Sequence, residues 1–181
     1  MGLPVLNAQE QRILGCLLEK QHTVPASYPL SLNALRQACN QTSSREPVVD
    51  YDEATVTGAA RALKDRGLLR SVWAGAGSRV VKYHQLLDEV LELAADERAL
   101  LTVLLLRGAQ APGELKTRTE RLHSFADRGE VEACLARLAA LPVYHAWYAG
   151  LWIGVPMLLF AAVYLWRHRA LFDGDVVEAN A

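Results

Sequence analysis

The residues best suited to chemistry in this sequence are hydroxyl and basic side chains on one short helical segment. This group consists of Thr55, Thr57, Arg61 and Lys64. The apolar pattern places them on the outward side of a helix, where such donors contact phosphate oxygens and base edges when a helix lies in a DNA groove. The segment is therefore predicted to be a nucleic-acid contact surface.

Two flanking pairs extend this candidate surface. Ser44 and Arg45 stand in the loop before the helix, and Arg79 and Lys82 in the β-prone segment after it, where they could reach phosphate. The alternative is that all these side chains are ordinary solvated residues, because carboxylates on the same helix would repel a phosphate backbone. These carboxylates are Asp52, Glu53 and Asp65. The sequence leaves both interpretations open.

Catalysis, cofactor binding and metal binding have little support in the sequence. The sequence has an odd number of cysteines, which lie far apart and on apolar helical faces, as is typical of reduced core residues. They are Cys16, Cys39 and Cys134. The sequence contains no Ser/His/Asp grouping, no phosphate-binding glycine loop and no cluster at metal-ligand spacing. We therefore expect a non-enzymatic protein with no cofactor and no metal.

Apolar spacing predicts three helices and a β-hairpin in the first half of the chain. The helices are expected at residues 8–20, 31–40 and 52–67, and the hairpin strands at 68–73 and 79–84 around a turn at 74–78. Asn7 and Glu10 form a capping-box pair at the start of the first helix. Three helices followed by a hairpin is the order of a winged helix.

The same helix order begins again downstream. Asp96 precedes an apolar helix that Gly108 ends, Pro112 opens a short helix, and Asp127 pairs with Glu130 at the start of a third. The corresponding apolar positions, 75 residues apart, are Val56 with Val131, Ala60 with Leu135, and Leu63 with Leu138. This spacing indicates a weak internal repeat.

Charge distinguishes the two halves. Residues 1–86 carry ten Lys/Arg and seven Asp/Glu, a balance of +3, whereas residues 87–142 carry seven and ten, a balance of −3. The first half is therefore the better candidate to meet phosphates. We predict a first winged-helix domain at 1–86, a second, truncated one at 87–142, and an apolar segment with a short polar tail at 143–181.

Six strings carry a resemblance to a known family. They are LLEK at 17–20, YPLSLNAL at 28–35, ACNQ at 38–41, REPV at 45–48, LLLRGAQ at 104–110 and PGEL at 112–115. Over about residues 6–141 the chain resembles the YceH-like bacterial proteins, which are of unknown function and built as tandem winged-helix domains. The resemblance implies a mainly α fold with a small β-hairpin and two helix-turn-helix domains, and such domains bind either DNA or protein.

After Leu141 the sequence departs from the family pattern, because no second β-hairpin follows. Residues 146–166 are instead 21 uncharged residues, which as a helix would extend about 30 Å, the thickness of a bilayer core. Gly150 and Gly154 form a Gly-x-x-x-Gly pair that would let two such helices approach closely. We predict one C-terminal transmembrane helix. The alternatives are a buried core helix and a membrane segment joined by a frameshift or gene fusion.

The sequence as a whole predicts a DNA-binding regulatory protein that acts through its first winged helix. The alternative is a protein-protein adaptor, or a homodimer, built on the tandem winged helices. No signal peptide precedes the first helix, so we expect these domains in the cytoplasm, anchored to the inner membrane by residues 146–166. The alternative location is the cytoplasm without an anchor.

Overall fold

Helices dominate the fold, which is given by a computed structural model that describes residues 5–73 and 80–140. The helices are α1 (Ala8–Thr23), α2 (Leu32–Cys39), α3 (Glu53–Asp65), α4 (Leu87–Val90), α5 (Ala95–Arg107), α6 (Pro112–Thr119) and α7 (Arg128–Ala140). The strands are β1 (Leu30–Ser31), β2 (Leu69–Trp73) and β3 (Val81–Gln85). The described residues lie within one compact unit, Leu3–Leu141.

Side-chain caps fix the starts of the first three helices. The Asn7 side chain accepts a hydrogen bond from the Glu10 N–H, and the Glu10 carboxylate accepts one from the Asn7 N–H, both at 2.9 Å. Ser31 and Asp52 cap α2 and α3 through N–H groups three residues further on. Each cap satisfies an N–H that has no partner inside its helix. The predicted starts are confirmed, whereas α1 continues beyond its predicted end, to Thr23.

The sheet has three antiparallel strands in the order β1-β3-β2. Strands β2 and β3 form the predicted hairpin, in which Leu69 pairs with Gln85 and Trp73 with Val81. Strand β1 was not predicted, because an element of two residues shows no alternation of apolar and polar side chains. The predicted turn at 74–78 lies outside the described residues. Helices α1 to α3 and this sheet are consistent with a winged helix.

Helix α1 lies at the centre of the core. Every residue from 12 to 19 is buried, because α2, α3 and α5 all pack against this helix. Helix α5 comes so close that a Cβ added at Gly15 would stand 2.8 Å from Leu106 Cδ2 and 3.1 Å from Leu105 Cβ. The missing side chain of Gly15 therefore permits the short distance between α1 and α5.

Helices α5, α6 and α7 repeat the helix order of the first half and enclose a second core cluster. Its buried members are Leu100, Val103, Leu115, Phe125, Val131, Cys134 and Leu138. Asp127 accepts a hydrogen bond from the Glu130 N–H at 2.9 Å at the start of α7, as this pair predicts. Val131 and Leu138 are buried, in agreement with the predicted apolar face of this helix.

The predictions on the C-terminal part of the chain fall outside the described residues. These are the missing second wing after Leu141 and the membrane helix at 146–166 with Gly150 and Gly154. Over residues 5–73 and 80–140, no helix is both long and apolar enough to cross a bilayer.

The packing at Gly15 yields a prediction with a matched control. Gly15→Ala adds a methyl group that overlaps the buried Leu106, and we expect the free energy of unfolding to fall by about 1–2 kcal/mol despite the better helix propensity of alanine. Gly58→Ala places the same methyl group where nothing lies within 4 Å, and should raise that free energy by about 0.5–1 kcal/mol. Urea unfolding monitored by circular dichroism measures both. Equal effects of the two substitutions would contradict the close packing of α1 on α5.

Candidate nucleic-acid interface

Helix α3 has one buried face and one exposed face. The buried face consists of Val56, Ala60 and Leu63. Thr57, Arg61 and Lys64 are exposed, as predicted, and their spacing of i, i+4 and i+7 puts them in one row along the helix. The structure therefore presents a hydroxyl and two cations to solvent on the same side of α3.

The exposed side of α3 also contains short side chains. Ala54 and Gly58 belong to it, and both are exposed. Nothing lies within 4 Å of the position that a Gly58 Cβ would take. Short side chains let a partner approach the helix backbone closely. The longer Arg61 and Lys64 side chains extend beyond them into solvent.

Lys82 lies on the middle strand of the sheet, opposite Ser31 of β1 and Val72 of β2. Its neighbours Val81 and Tyr83 line a groove together with residues of α2 and the first turn of α3. Lys82 itself is half-buried and does not line this groove. Its contact with phosphate stays a prediction. Arg79 lies outside the described residues.

Two predicted hydroxyl contacts are only half exposed and already have partners. Thr55 donates its N–H to Asp52 Oδ1 at 2.7 Å. Hydrogen bonds from the Thr55 side chain and backbone lower the pKa of Asp52. Ser44 Oγ accepts a hydrogen bond from Arg121 Nη2 at 3.2 Å. Both side chains therefore take part in local structure.

Arg45 is not available to a DNA phosphate. Its side chain is 0% exposed, and Nη2 lies 2.6 Å from Glu19 Oε2. The guanidinium makes five hydrogen bonds, to both Glu19 oxygens, to the Ala38 and Ser44 carbonyls and to the Gln41 side chain, which use all of its N–H groups. The predicted phosphate contact at Arg45 is wrong, because this charge compensates a buried carboxylate that lies far away in the sequence.

A second buried arginine, Arg12, also donates hydrogen bonds at the C-terminal end of α2. Arg12 donates to the Cys39 carbonyl at 3.1 Å and to the Pro47 carbonyl at 2.6 Å. Arg45 donates to the Ala38 carbonyl at 3.0 Å. The last carbonyls of a helix have no partner inside it and carry the negative end of its dipole. The two arginines satisfy these carbonyls in the core.

The loop between α2 and α3 is held from several sides. The Asn40 amide group donates to the Tyr51 carbonyl at 2.9 Å and accepts from the Tyr51 N–H at 2.8 Å. The Glu46 N–H donates to the Leu106 carbonyl at 2.9 Å, near the end of α5. These contacts of the loop to α1, α2 and α5 position the start of α3. The polar sequence of the loop alone did not indicate them.

The three cysteines are free, buried thiols, as predicted. Burial raises the pKa of Cys134 to about 12, so this thiol stays protonated at neutral pH. In the part of the chain that the structure describes, no three His, Cys, Asp or Glu side chains are grouped to hold a metal ion.

The Glu19–Arg45 ion pair makes the free energy of unfolding depend on pH. Burial alone would raise the pKa of Glu19, but the hydrogen bonds and charge of Arg45, together with Lys20, lower it below the ordinary 4.5. A carboxyl whose pKa is lower in the folded state stabilises the fold while it is ionised. This contribution is present above the ordinary pKa and is lost as the pH falls through the folded-state value.

Removal of Arg45 should therefore be costly. Arg45→Met leaves Glu19 buried without its cation, and we expect the free energy of unfolding at pH 7 to fall by about 3–5 kcal/mol. Arg61→Met, on the exposed side of α3, should change it by less than about 0.5 kcal/mol. Urea unfolding between pH 7 and pH 3 should also show a smaller acid loss for Glu19→Gln than for the parent chain.

The double variant Glu19→Leu with Arg45→Met separates the pair from the packing around it. It should lose less stability than the two single changes added together, because neither charge is then left alone. Additive losses, or an Arg45→Met effect no larger than that of Arg61→Met, would refute the role of the ion pair.

Comparison with known proteins places this architecture in a family. Residues 6–146 match the family described as "Protein of unknown function, DUF480". The UPF0502 protein of Opitutus terrae is 56% identical over 138 residues, 76% of this chain and 60% of that protein. The UPF0502 protein YceH of Salmonella paratyphi B is 50% identical over 139 residues, 75% of this chain and 64% of that protein.

A third relative extends the similarity into the C-terminal segment. The UPF0502 protein of Dechloromonas aromatica is 45% identical over 179 residues, 98% of this chain and 79% of that protein. The match to the Opitutus and Salmonella proteins covers less than two thirds of their length. On the family match and these identities, the chain belongs to the DUF480 (UPF0502) family of YceH-like bacterial proteins.

Proposed function

We propose that this chain is a DNA-binding regulatory protein of tandem winged-helix architecture, without enzymatic activity. The observation that carries the proposal is the exposed row Thr57, Arg61 and Lys64 on the helix that a winged helix inserts into a groove. The three side chains lie on the same exposed side of α3, and they make no hydrogen bond or ion pair with another described residue. They are therefore ready to contact phosphates and bases.

The charges along α3 define where DNA would approach. Asp52 and Glu53 lie at the start of the helix, and Asp52 is engaged as its cap. Arg61 and Lys64 lie in the last two turns, where Asp65 is the opposing acid. Phosphate attraction is accordingly strongest at the C-terminal half of α3.

A protein-protein adaptor is the second candidate, favoured by a different observation. Trp73 at the end of β2 is 67% exposed, which is unusual for a large aromatic side chain. Tryptophan is enriched where one protein binds another. In this alternative the hairpin and the acidic second half of the chain bind a protein partner or a second copy.

We further propose that residues 146–166 anchor the protein in the inner membrane, with the winged-helix part in the cytoplasm. The support is the uncharged length of this segment. The Dechloromonas relative matches 98% of the chain, which favours a natural segment over a frameshift. Gly150 and Gly154 would let two such helices pair. Without the anchor, the location is the cytoplasm alone.

DNA binding is tested by fluorescence anisotropy with a labelled duplex of mixed sequence. Each cation that contacts phosphate contributes about one unit to the slope of log affinity against log salt. Arg61→Gln with Lys64→Gln should therefore weaken binding and flatten that slope by about two units. Arg128→Gln, which removes an exposed charge from the start of α7, should leave the slope unchanged.

Failure of the duplex to bind, or an unchanged slope in the double variant, would contradict the DNA proposal. The adaptor alternative would then be examined by pull-down from nuclease-treated extract. Partners that remain with the parent chain and are lost with Trp73→Ala would support an apolar protein contact at the hairpin.

Membrane anchoring predicts that the full chain stays in the membrane pellet after washing with alkaline carbonate. A chain ended after Leu141 should be released into the supernatant, because it lacks the apolar segment. Release of the full chain into the supernatant would refute the anchor.

A further inference from the structure

Three arginines from the second half of the chain meet at one small cleft. Arg107 is the last residue of α5, Arg118 belongs to α6, and Arg121 lies in the turn after it. Together with Ser44, from the loop between α2 and α3, they line this cleft. The net charge of −3 over residues 87–142 conceals this local concentration of positive charge.

The hydrogen bonds of these arginines leave one of them without a partner. Arg121 Nη2 donates to Ser44 Oγ at 3.2 Å. Arg118 donates to the Gln110 side chain, and its Nη2 lies 3.5 Å from Glu114 Oε1. The Arg107 guanidinium has neither a hydrogen bond nor an ion pair to any described residue. Its donors are therefore available to a ligand at the cleft.

The charges around Arg107 are unbalanced. Its pKa is lowered by partial burial and by the positive charges of Arg118, Arg45 and Arg121, while Glu46 opposes the effect. Glu19 also lines the cleft, but its carboxylate is occupied by Arg45. Cations that repel one another across a partly enclosed space gain stability when an anion enters it.

The shape of the cleft limits the size of what enters. Its apolar lining consists of Val103, Leu106 and Leu122, and its volume is about 20 Å³. That volume admits a group about the size of one water molecule. A tetrahedral anion would therefore insert no more than one oxygen into the cleft.

We propose that this cleft is a phosphate-binding site in which Arg107 is the principal ligand and Arg118 and Arg121 are its partners. Arginine is suited to this role because its planar fork of donors matches phosphate oxygens. The site is separate from the proposed DNA surface, because α1 packs between α3 and α5. The phosphate belongs either to a small phosphorylated compound or to a nucleic-acid backbone, and the proposal does not depend on the function proposed for α3.

The test uses the full chain and isothermal titration calorimetry with pyrophosphate at constant ionic strength, beside anisotropy with the labelled duplex. Arg107→Gln should weaken pyrophosphate binding roughly tenfold or more, because a charge-assisted hydrogen bond is lost. Arg107→Lys should bind with intermediate affinity, since it keeps the charge and loses the fork. Arg128→Gln, which removes an exposed charge from the start of α7, is the matched control and should leave pyrophosphate binding unchanged. Circular dichroism verifies that each variant is folded, and Arg121→Gln supplies a second change at the same cleft.

Weaker pyrophosphate binding by Arg107→Gln, with duplex binding unchanged, supports the site and identifies a small phosphorylated ligand. Weaker duplex binding by Arg107→Gln supports the site and identifies backbone phosphate. If neither Arg107→Gln nor Arg121→Gln alters either affinity, the proposal is overturned. A loss of duplex affinity in Arg61→Gln alone would leave the DNA function standing while this site fails.

Discussion

The fold depends on how the core accommodates the C-terminal end of α2. The carbonyls of Ala38 and Cys39 end a helix inside the protein, where water does not supply donors. Arg12 and Arg45 supply them, and the buried Arg45 in turn requires the carboxylate of Glu19 on α1. A charge buried in this way is tolerated only with its partner in place. The direction in which the chain leaves α2, and so the position of α3, follows from this set of bonds.

Local sequence signals predicted the helices well, because their causes are local. A capping pair such as Asn7 with Glu10 is complete within four residues, so the start of a helix can be recognised without its surroundings. The same holds for the apolar face of α3 and for its exposed row. Arg45 was misjudged for the opposite reason. An arginine in a polar loop has the composition of a surface residue, and only the fold brings Glu19 to it from 26 positions away.

The family strings have a structural explanation in the same network. Glu19, Asn40 and Arg45 belong to three of the strings that carry the resemblance, and their side chains hold the end of α2 and the loop that follows it. The string at 104–110 supplies the Leu106 carbonyl to which the loop is bonded. Glu19, Asn40, Arg45 and Leu106 therefore serve the architecture of the protein. Arg107, in the string at 104–110, is proposed above as a phosphate ligand, whereas the exposed row of α3 lies outside all six strings.

The position of α1 between α3 and α5 also constrains the order of events during synthesis. This helix is made before α5, yet the side of it around Gly15 is covered by Leu105 and Leu106 of α5. Until those residues have left the ribosome, α1 exposes an apolar surface that its own half of the protein does not cover. The nascent chain is thus open to chaperones, or to a neighbouring copy of itself, for longer than a self-contained winged helix of the same length.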